Sequence, residues 1–209
     1  MVKSICISLR KGDFMDIQVK NLNKSFNKQQ VLNDVDMTFP EGRITCIMGP
    51  SGIGKTTLVY ILMGLLKADS GQVIGLEGKK FAAVFQEDRL IEHWDAIKNV
   101  QLVSGGEVTK DLVKRSFIQI GLTEYEKKPV RALSGGMRRR VAMVRALLSE
   151  YDLLIMDEPF KGLDEKLKNQ VIDYVKENTK GKTVIIITHD KEEVDLLEAQ
   201  LINMEDYED

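Results

Sequence analysis

Along the chain, apolar and polar positions change rhythm several times. Residues 16–22 and 35–39 alternate with a period of two, the pattern of strands with one buried face. Residues 43–48 are mostly apolar instead, entered through the turn Pro40-Glu41-Gly42 and left through a glycine-rich stretch. From Lys55 to about Leu66 the rhythm becomes helical, with Leu58, Ile61, Leu62 and Leu65 on one face. Asp69-Ser70-Gly71 breaks that pattern, and residues 73–76 and 81–85 read as short strands. Residues 90–133 are polar and mainly helical, with helices expected over 96–103 and 109–120. A helix after Ser134 carries Val141, Val144, Leu147 and Leu148. The strand 153–156, a helix over about 166–178 and the strand 183–188 follow. Strands alternating with helices predict an α/β fold around a mostly parallel sheet.

Composition narrows the function classes. Of 209 residues, 30 are Lys or Arg and 32 are Asp or Glu, a formal charge of −2. A chain with 43% hydrophobic and 30% charged residues has an ordinary globular balance, and its length suits one domain. The missing basic excess argues against nucleic acid as a partner. Apolar runs such as 153–156 and 184–187 fall far short of the roughly 20 residues a membrane-spanning helix needs. Cys6 and Cys46 form no disulfide framework and no zinc spacing, and Cys46 reads as a small buried thiol. Residues 1–15 read as an N-terminal extension whose apolar stretch, closed by Arg10 and Lys11, is too short for a secretory signal. A reducing, cytoplasmic setting is expected, and the acidic end 205–209 reads as a solvated tail. The run Arg138-Arg139-Arg140 reads as a solvated helix face, and His93 and Trp94 receive no catalytic role.

Two motifs carry chemistry. Gly49-Pro50-Ser51-Gly52-Ile53-Gly54-Lys55-Thr56-Thr57 fits G-x-x-x-x-G-K-[ST] between a strand and a helix. Its glycines let backbone N–H groups curl inward around phosphate oxygens, and the helix adds its positive end. Lys55 is placed to neutralise the β- and γ-phosphates, and the Thr56 hydroxyl to hold Mg²⁺. This loop binds a nucleoside triphosphate. The second motif is the apolar strand 153–156 ending in Asp157 and Glu158. Beside a phosphate loop, Asp157 suits a Mg²⁺ ligand. Glu158, expected to point the other way by strand alternation, suits a general base for water.

Leu133-Ser134-Gly135-Gly136-Met137 then singles out one family: the chain resembles the ATP-binding cassette (ABC) ATPases, whose signature is commonly Leu-Ser-Gly-Gly-Gln. Met137 replaces the usual Gln. The resemblance runs from Asp16 to about Met204. It implies a P-loop NTPase with a RecA-like core, an N-terminal antiparallel β-subdomain and a small helical subdomain over about 90–135, all in one domain spanning 1–209. It implies that Ser134, Gly135 and Gly136 face the γ-phosphate held by a second cassette, so that ATP lies across a head-to-tail dimer, taken as a homodimer. Gln86 resembles the glutamine that touches Mg²⁺ and the attacking water, Asp164 the aspartate that crosses to the other subunit, and His189 the switch histidine that contacts the γ-phosphate and positions Glu158. Phe26 stands where the family places an aromatic ring, often Tyr, against adenine. The implied function is an ATPase with ATP and Mg²⁺. It would sit on the inner face of the membrane and power solute transport through a separate permease, with a solute-binding protein reached through that permease. The segment 84–90 is similar to importers of nitrate, sulfonate or taurine. A soluble cassette acting on nucleic acid or ribosomes is the alternative. Those relatives often carry paired cassettes or long coiled coils, which 209 residues do not accommodate.

Overall fold

The computed structural model describes residues 15–103, 108–123, 125 and 128–207. Cys6 and the rest of residues 1–14 in the expected N-terminal extension, and residues 208–209 of the acidic tail, lie outside them. The chain opens with a hairpin, β1 (Ile17–Phe26) and β2 (Gln29–Phe39), followed by β3 (Ile44–Met48) and α1 (Lys55–Leu62). Then come β4 (Ser70–Ile74), β5 (Phe81–Val84), α2 (Ala96–Gln101) and α3 (Lys110–Gln119). The remaining elements are α4 (Gly135–Leu147), β6 (Leu153–Asp157), α5 (Glu165–Asn178), β7 (Thr183–Ile187), α6 (Lys191–Leu196) and β8 (Gln200–Asn203). An antiparallel sheet has the order β2-β1-β4, and a parallel sheet the order β5-β6-β7-β3-β8.

The parallel sheet is buried on both faces, which is why β6 and β7 are continuous apolar runs without polar alternation. Alternation survives as a division of labour. Leu153, Ile155, Ile185 and Ile187 face one way, into a core completed by α1 and the hairpin residues Val19, Leu22, Leu32 and Phe39. Leu154, Met156, Val184 and Ile186 face the other, into a core completed by α2 to α6. Cys46 is buried in that second core and free, and burial pushes its thiol up to about 12.

Four features differ from the sequence reading. The first helix stops at Leu62 rather than near Leu66, because Gly64 takes a left-handed φ of 68° and closes the end: Gly64 N donates to Ile61 O and Leu65 N to Tyr60 O. Ser70 and Gly71 begin β4 rather than breaking the chain. β1 bulges around Asn21, and a Cβ on Gly71 would lie 2.3 Å from the Asn21 carbonyl, so only glycine lets the strands pair there. The short α6 and β8 lie in a stretch where the sequence shows no clear period. Finally, the three arginines do not form a solvated face. Consecutive helical residues sit about 100° apart, so a run of three cannot share one side. Arg140 is buried, donating to the Gly136 and Gly121 carbonyls at 3.2 and 3.1 Å.

Among the described residues, no helix is long and apolar enough to cross a membrane.

Candidate functional site

The strand order fixes what meets what. Gln86 follows β5, Asp157 ends β6 with Glu158 next, His189 lies just past β7, and the loop 49–57 follows β3. Because β5, β6, β7 and β3 are consecutive neighbours, all four exits open at one sheet edge. There they enclose a cavity of about 200 Å³. Ser51, Gly52, Gly54, Lys55, Thr56 and Thr57 line it on one side, with Gln86, Asp157, Glu158 and His189 on the other.

The phosphate loop takes its shape from three glycines. Gly49, Gly52 and Gly54 have φ of 144°, 88° and 108°, a region that side chains with a Cβ rarely enter. At Gly54, moreover, a Cβ would lie 2.8 Å from the Val31 carbonyl. Gly54 begins α1 with no side-chain cap, so the first N–H groups of the helix stay available to a ligand. Lys55 is only 6% exposed and folds over the loop, donating to the Gly49 and Pro50 carbonyls at 2.7 and 2.8 Å. Burial lowers its ammonium pKa, opposed by the charges of Glu158 and Asp157. Ile53 turns its side chain into the core, leaving its backbone to the loop.

Thr56 donates to Asp157 Oδ2 at 3.3 Å, while Asp157 Oδ1 is buried with no protein partner. Burial above all, and then the charge of Glu158, push the Asp157 carboxyl up, against Thr56, Arg139 and Lys55. A buried carboxylate with one oxygen free beside a threonine hydroxyl suits a hard divalent cation with oxygen ligands, so these residues fit Mg²⁺.

Glu158 does not continue the strand as alternation suggests. Its φ is 48°, its N–H donates to the Ile187 carbonyl, and this turn aims the carboxylate toward β7. Oε1 lies 3.1 Å from His189 Nε2, and Oε2 lies 2.5 Å from Lys161 Nζ. Burial alone would raise this carboxyl, but Lys161 and His189 outweigh it and hold it below the ordinary range. Behind His189, buried Thr188 donates to the buried Glu193 carboxylate of α6, which fixes the end of β7. A second cavity, of about 320 Å³, adjoins the first through Glu158 and His189 and includes Lys161, Gly162 and Leu163.

The other expected residues line neither cavity. Ser134 caps α4, its hydroxyl accepting from Met137 N at 3.2 Å, and the first turn begins with exposed Gly135 and half-buried Gly136. Asp164 caps α5, accepting from Leu167 N at 3.0 Å. Phe26 ends β1 with 44% of its surface exposed and Lys24 Nζ 5.4 Å from its ring centroid. Lys161 and Arg139 escaped the sequence reading: one was a loop lysine and the other part of the arginine run. Spacing could have flagged Lys161, three residues after Glu158 in a turn; for Arg139 the helical 100° step was the available signal.

The family model for ABC transporters matches residues 32–161. The taurine import ATP-binding protein TauB of Roseobacter denitrificans is 36% identical over 209 residues, covering 90% of this chain and 77% of that protein. The spermidine/putrescine import ATP-binding protein PotA of Mycoplasma capricolum is 31% identical over 204 residues, covering 90% of this chain. The chain spans only 58% of the length of that relative. Among solved structures, the dimeric bacterial ABC transporter cassette MJ0796 superposes with a TM-score of 0.77 at 28% identity, covering 90% of this chain and 94% of that one. The same cassette is known in a post-hydrolysis state bound to ADP and Pi. With a family match over more than half its length and a phosphate loop, carboxylate pair and histidine converging on one cavity, this chain belongs to the ABC transporter family.

Proposed function

We propose that this chain hydrolyses ATP to drive import of a solute through a separate permease, working as a head-to-tail pair of identical cassettes with ATP between them. The observation that carries the ATPase reading is Glu158, held 3.1 Å from His189 on the wall of the cavity that also contains Lys55 and the Thr56–Asp157 pair. The loop N–H groups and Lys55 bind the phosphates, Lys55 exchanging two neutral carbonyls for charged oxygens. Thr56, Asp157 and Gln86 hold Mg²⁺, which supplies charge neutralisation at the phosphates when bound. Glu158 takes the proton of the attacking water, His189 orients Glu158, and Gln86 orients the water. Positioning and charge do most of the work.

Ser134, Gly135, Gly136 and Asp164 serve the site of the second cassette, a reading supported by their absence from the lining of both cavities and by the exposure of Ser134, Gly135 and Asp164. Phe26 offers its exposed ring to adenine. Residues 1–209 act as one cassette, with 1–15 as an extension and about 90–135 as its helical subdomain. The pair sits on the inner face of the membrane, held there by the permease, through which a solute-binding protein is reached. The two named relatives carry different cargoes, taurine and spermidine/putrescine, which suits a motor whose cargo the permease selects. Phosphate release from MgATP by the purified chain is the test. We expect hydrolysis by the native protein and loss of nucleotide binding in Lys55→Ala. A native chain that binds but never hydrolyses, whatever its concentration, would overturn the reading. Purification from membranes should bring down an integral membrane protein and no RNA or DNA.

A further inference from the structure

Arg139 is the middle residue of the arginine run, five positions beyond Ser134 in α4. Its side chain is 14% exposed and is ringed by acceptors from two other elements. The guanidinium donates to the Phe85 carbonyl at 2.8 Å, to the Gln86 carbonyl, and to the Asp157 carbonyl at 3.3 Å. Its Nε also lies 3.2 Å from the Asp88 carboxylate. Phe85, Gln86 and Asp88 belong to the segment leaving β5, whereas Asp157 ends β6 and receives the Thr56 hydroxyl. One planar group therefore ties the backbone of Gln86 to the backbone of Asp157 on the same wall of the cavity. Three carbonyls and a carboxylate converging on one point need a cation with several donors in a fixed plane. Among side chains only arginine offers that.

We infer that Arg139 is the positioning residue of the Gln86 segment. It sets Gln86 against the end of β6, from a helix whose first turn is Ser134–Gly136, about 7.5 Å along the axis from Arg139. The inference rests on the ATPase reading above and adds a residue to it.

A plain structural strap is the competing explanation, and the same helix supplies the control. Arg145 donates to the Arg89 and Asp88 carbonyls at 2.8 and 3.1 Å, gripping the far half of the segment without touching Gln86 or Asp157. The experiment measures kcat and KM for MgATP, affinity for a fluorescent ATP analogue, and melting temperature. Its proteins are the full native chain, Arg139→Met, Arg139→Lys and Arg145→Met. Misplacement of a positioned group costs up to about 100-fold. Arg139→Met should lower kcat by about tenfold or more while KM and analogue affinity stay within about twofold. Arg139→Lys, which keeps the charge and the stem, should recover less than half of the lost kcat, because one ammonium cannot span three carbonyls. Arg145→Met should melt lower yet keep kcat within about twofold. If Arg139→Met melts below the assay temperature, Arg139→Gln should give the same split. An unchanged kcat in Arg139→Met, full rescue by lysine, or equal losses in the Arg139 and Arg145 variants would each overturn the inference. A native chain without ATP hydrolysis would overturn the ATPase reading instead, so the two failures are distinguishable.

Discussion

Two helices begin at glycine-rich turns, and they begin differently. The start of α1 has no side-chain cap, carries left-handed glycines and a 6%-exposed lysine, and forms the wall of a cavity. The start of α4 is capped by its own serine, lies exposed and lines neither cavity. The first turn of either helix is a place where an anion is favoured. At α1 an enclosing cavity is already built from this chain, whereas the start of α4 lines neither cavity. The difference supports the proposal that α1 forms a site with its own protein and α4 with another molecule.

Substitutions can break this comparison or sharpen it. The largest effect is expected within the enclosed half. Glu158→Gln should bind nucleotide normally and lose about 100-fold or more in turnover, as for removal of a general base, measured by single-turnover phosphate release. Next comes a matched pair of glycines. Gly54→Ala forces a Cβ into φ 108° against the Val31 carbonyl and should cost about 1–3 kcal/mol of stability, read as a lower melting temperature. Gly135→Ala meets nothing within 4 Å and should melt within about 1 kcal/mol of native. Its turnover should nevertheless fall at protein concentrations where chains pair; unchanged turnover there would remove α4 from the second site. A smaller effect is expected of Ser134→Ala, which loses a cap worth about 1 kcal/mol and should keep single-chain nucleotide affinity, checked by titration at low protein concentration.

The smallest expected effect concerns pH. Lys161 helps hold the Glu158 carboxyl below its ordinary range, so in the native protein the base stays ionised as pH falls. In Lys161→Met the Glu158 pKa rises, and the acid limb of the pH–rate profile should move to higher pH. The neutral-pH rate should change by no more than a few-fold. Linkage gives the same sign for stability: the depressed carboxyl stabilises the fold above its unfolded pKa and ceases to as pH falls through the folded value. An acid limb that stays in place would show that Lys161 does not act on the base.

Much of the site is legible in the sequence because its chemistry is local. Residues 49–57 need glycines, a lysine and a threonine at fixed spacing, and an apolar strand ending in acids announces Asp157 and Glu158. Helix caps are local too: Asp164 and Ser134 each accept from the N–H three residues on. Gly64 was an equally local stop signal, overridden because Leu65 kept the apolar period of α1. What escaped depends on contacts between distant segments. Arg139 meets carbonyls 53 and 54 positions away, and Arg140 one that is 19 away. A run of arginines says nothing about which backbone each will find. The orientation of Glu158 escaped because its left-handed φ ends the alternation at Asp157, a turn that the apolar run 153–156 does not announce.

The division of β6 between two cores has a consequence for how the chemistry is aligned. Neighbouring strands lie about 4.8 Å apart, so β5, β6, β7 and β3 act as graduations on a ruler, and the residues at their ends inherit its spacing. A slip of β6 by one residue would move Asp157 by about 3.3 Å. It would also carry Leu153 and Ile155 into the core of Leu154 and Met156, and the reverse. Misaligning the site therefore means turning the centre of the protein inside out. The calibration of the active groups is guarded by a pairing of two strands buried along their whole length, and substitution can change which groups stand at the marks far more readily than it can move the marks.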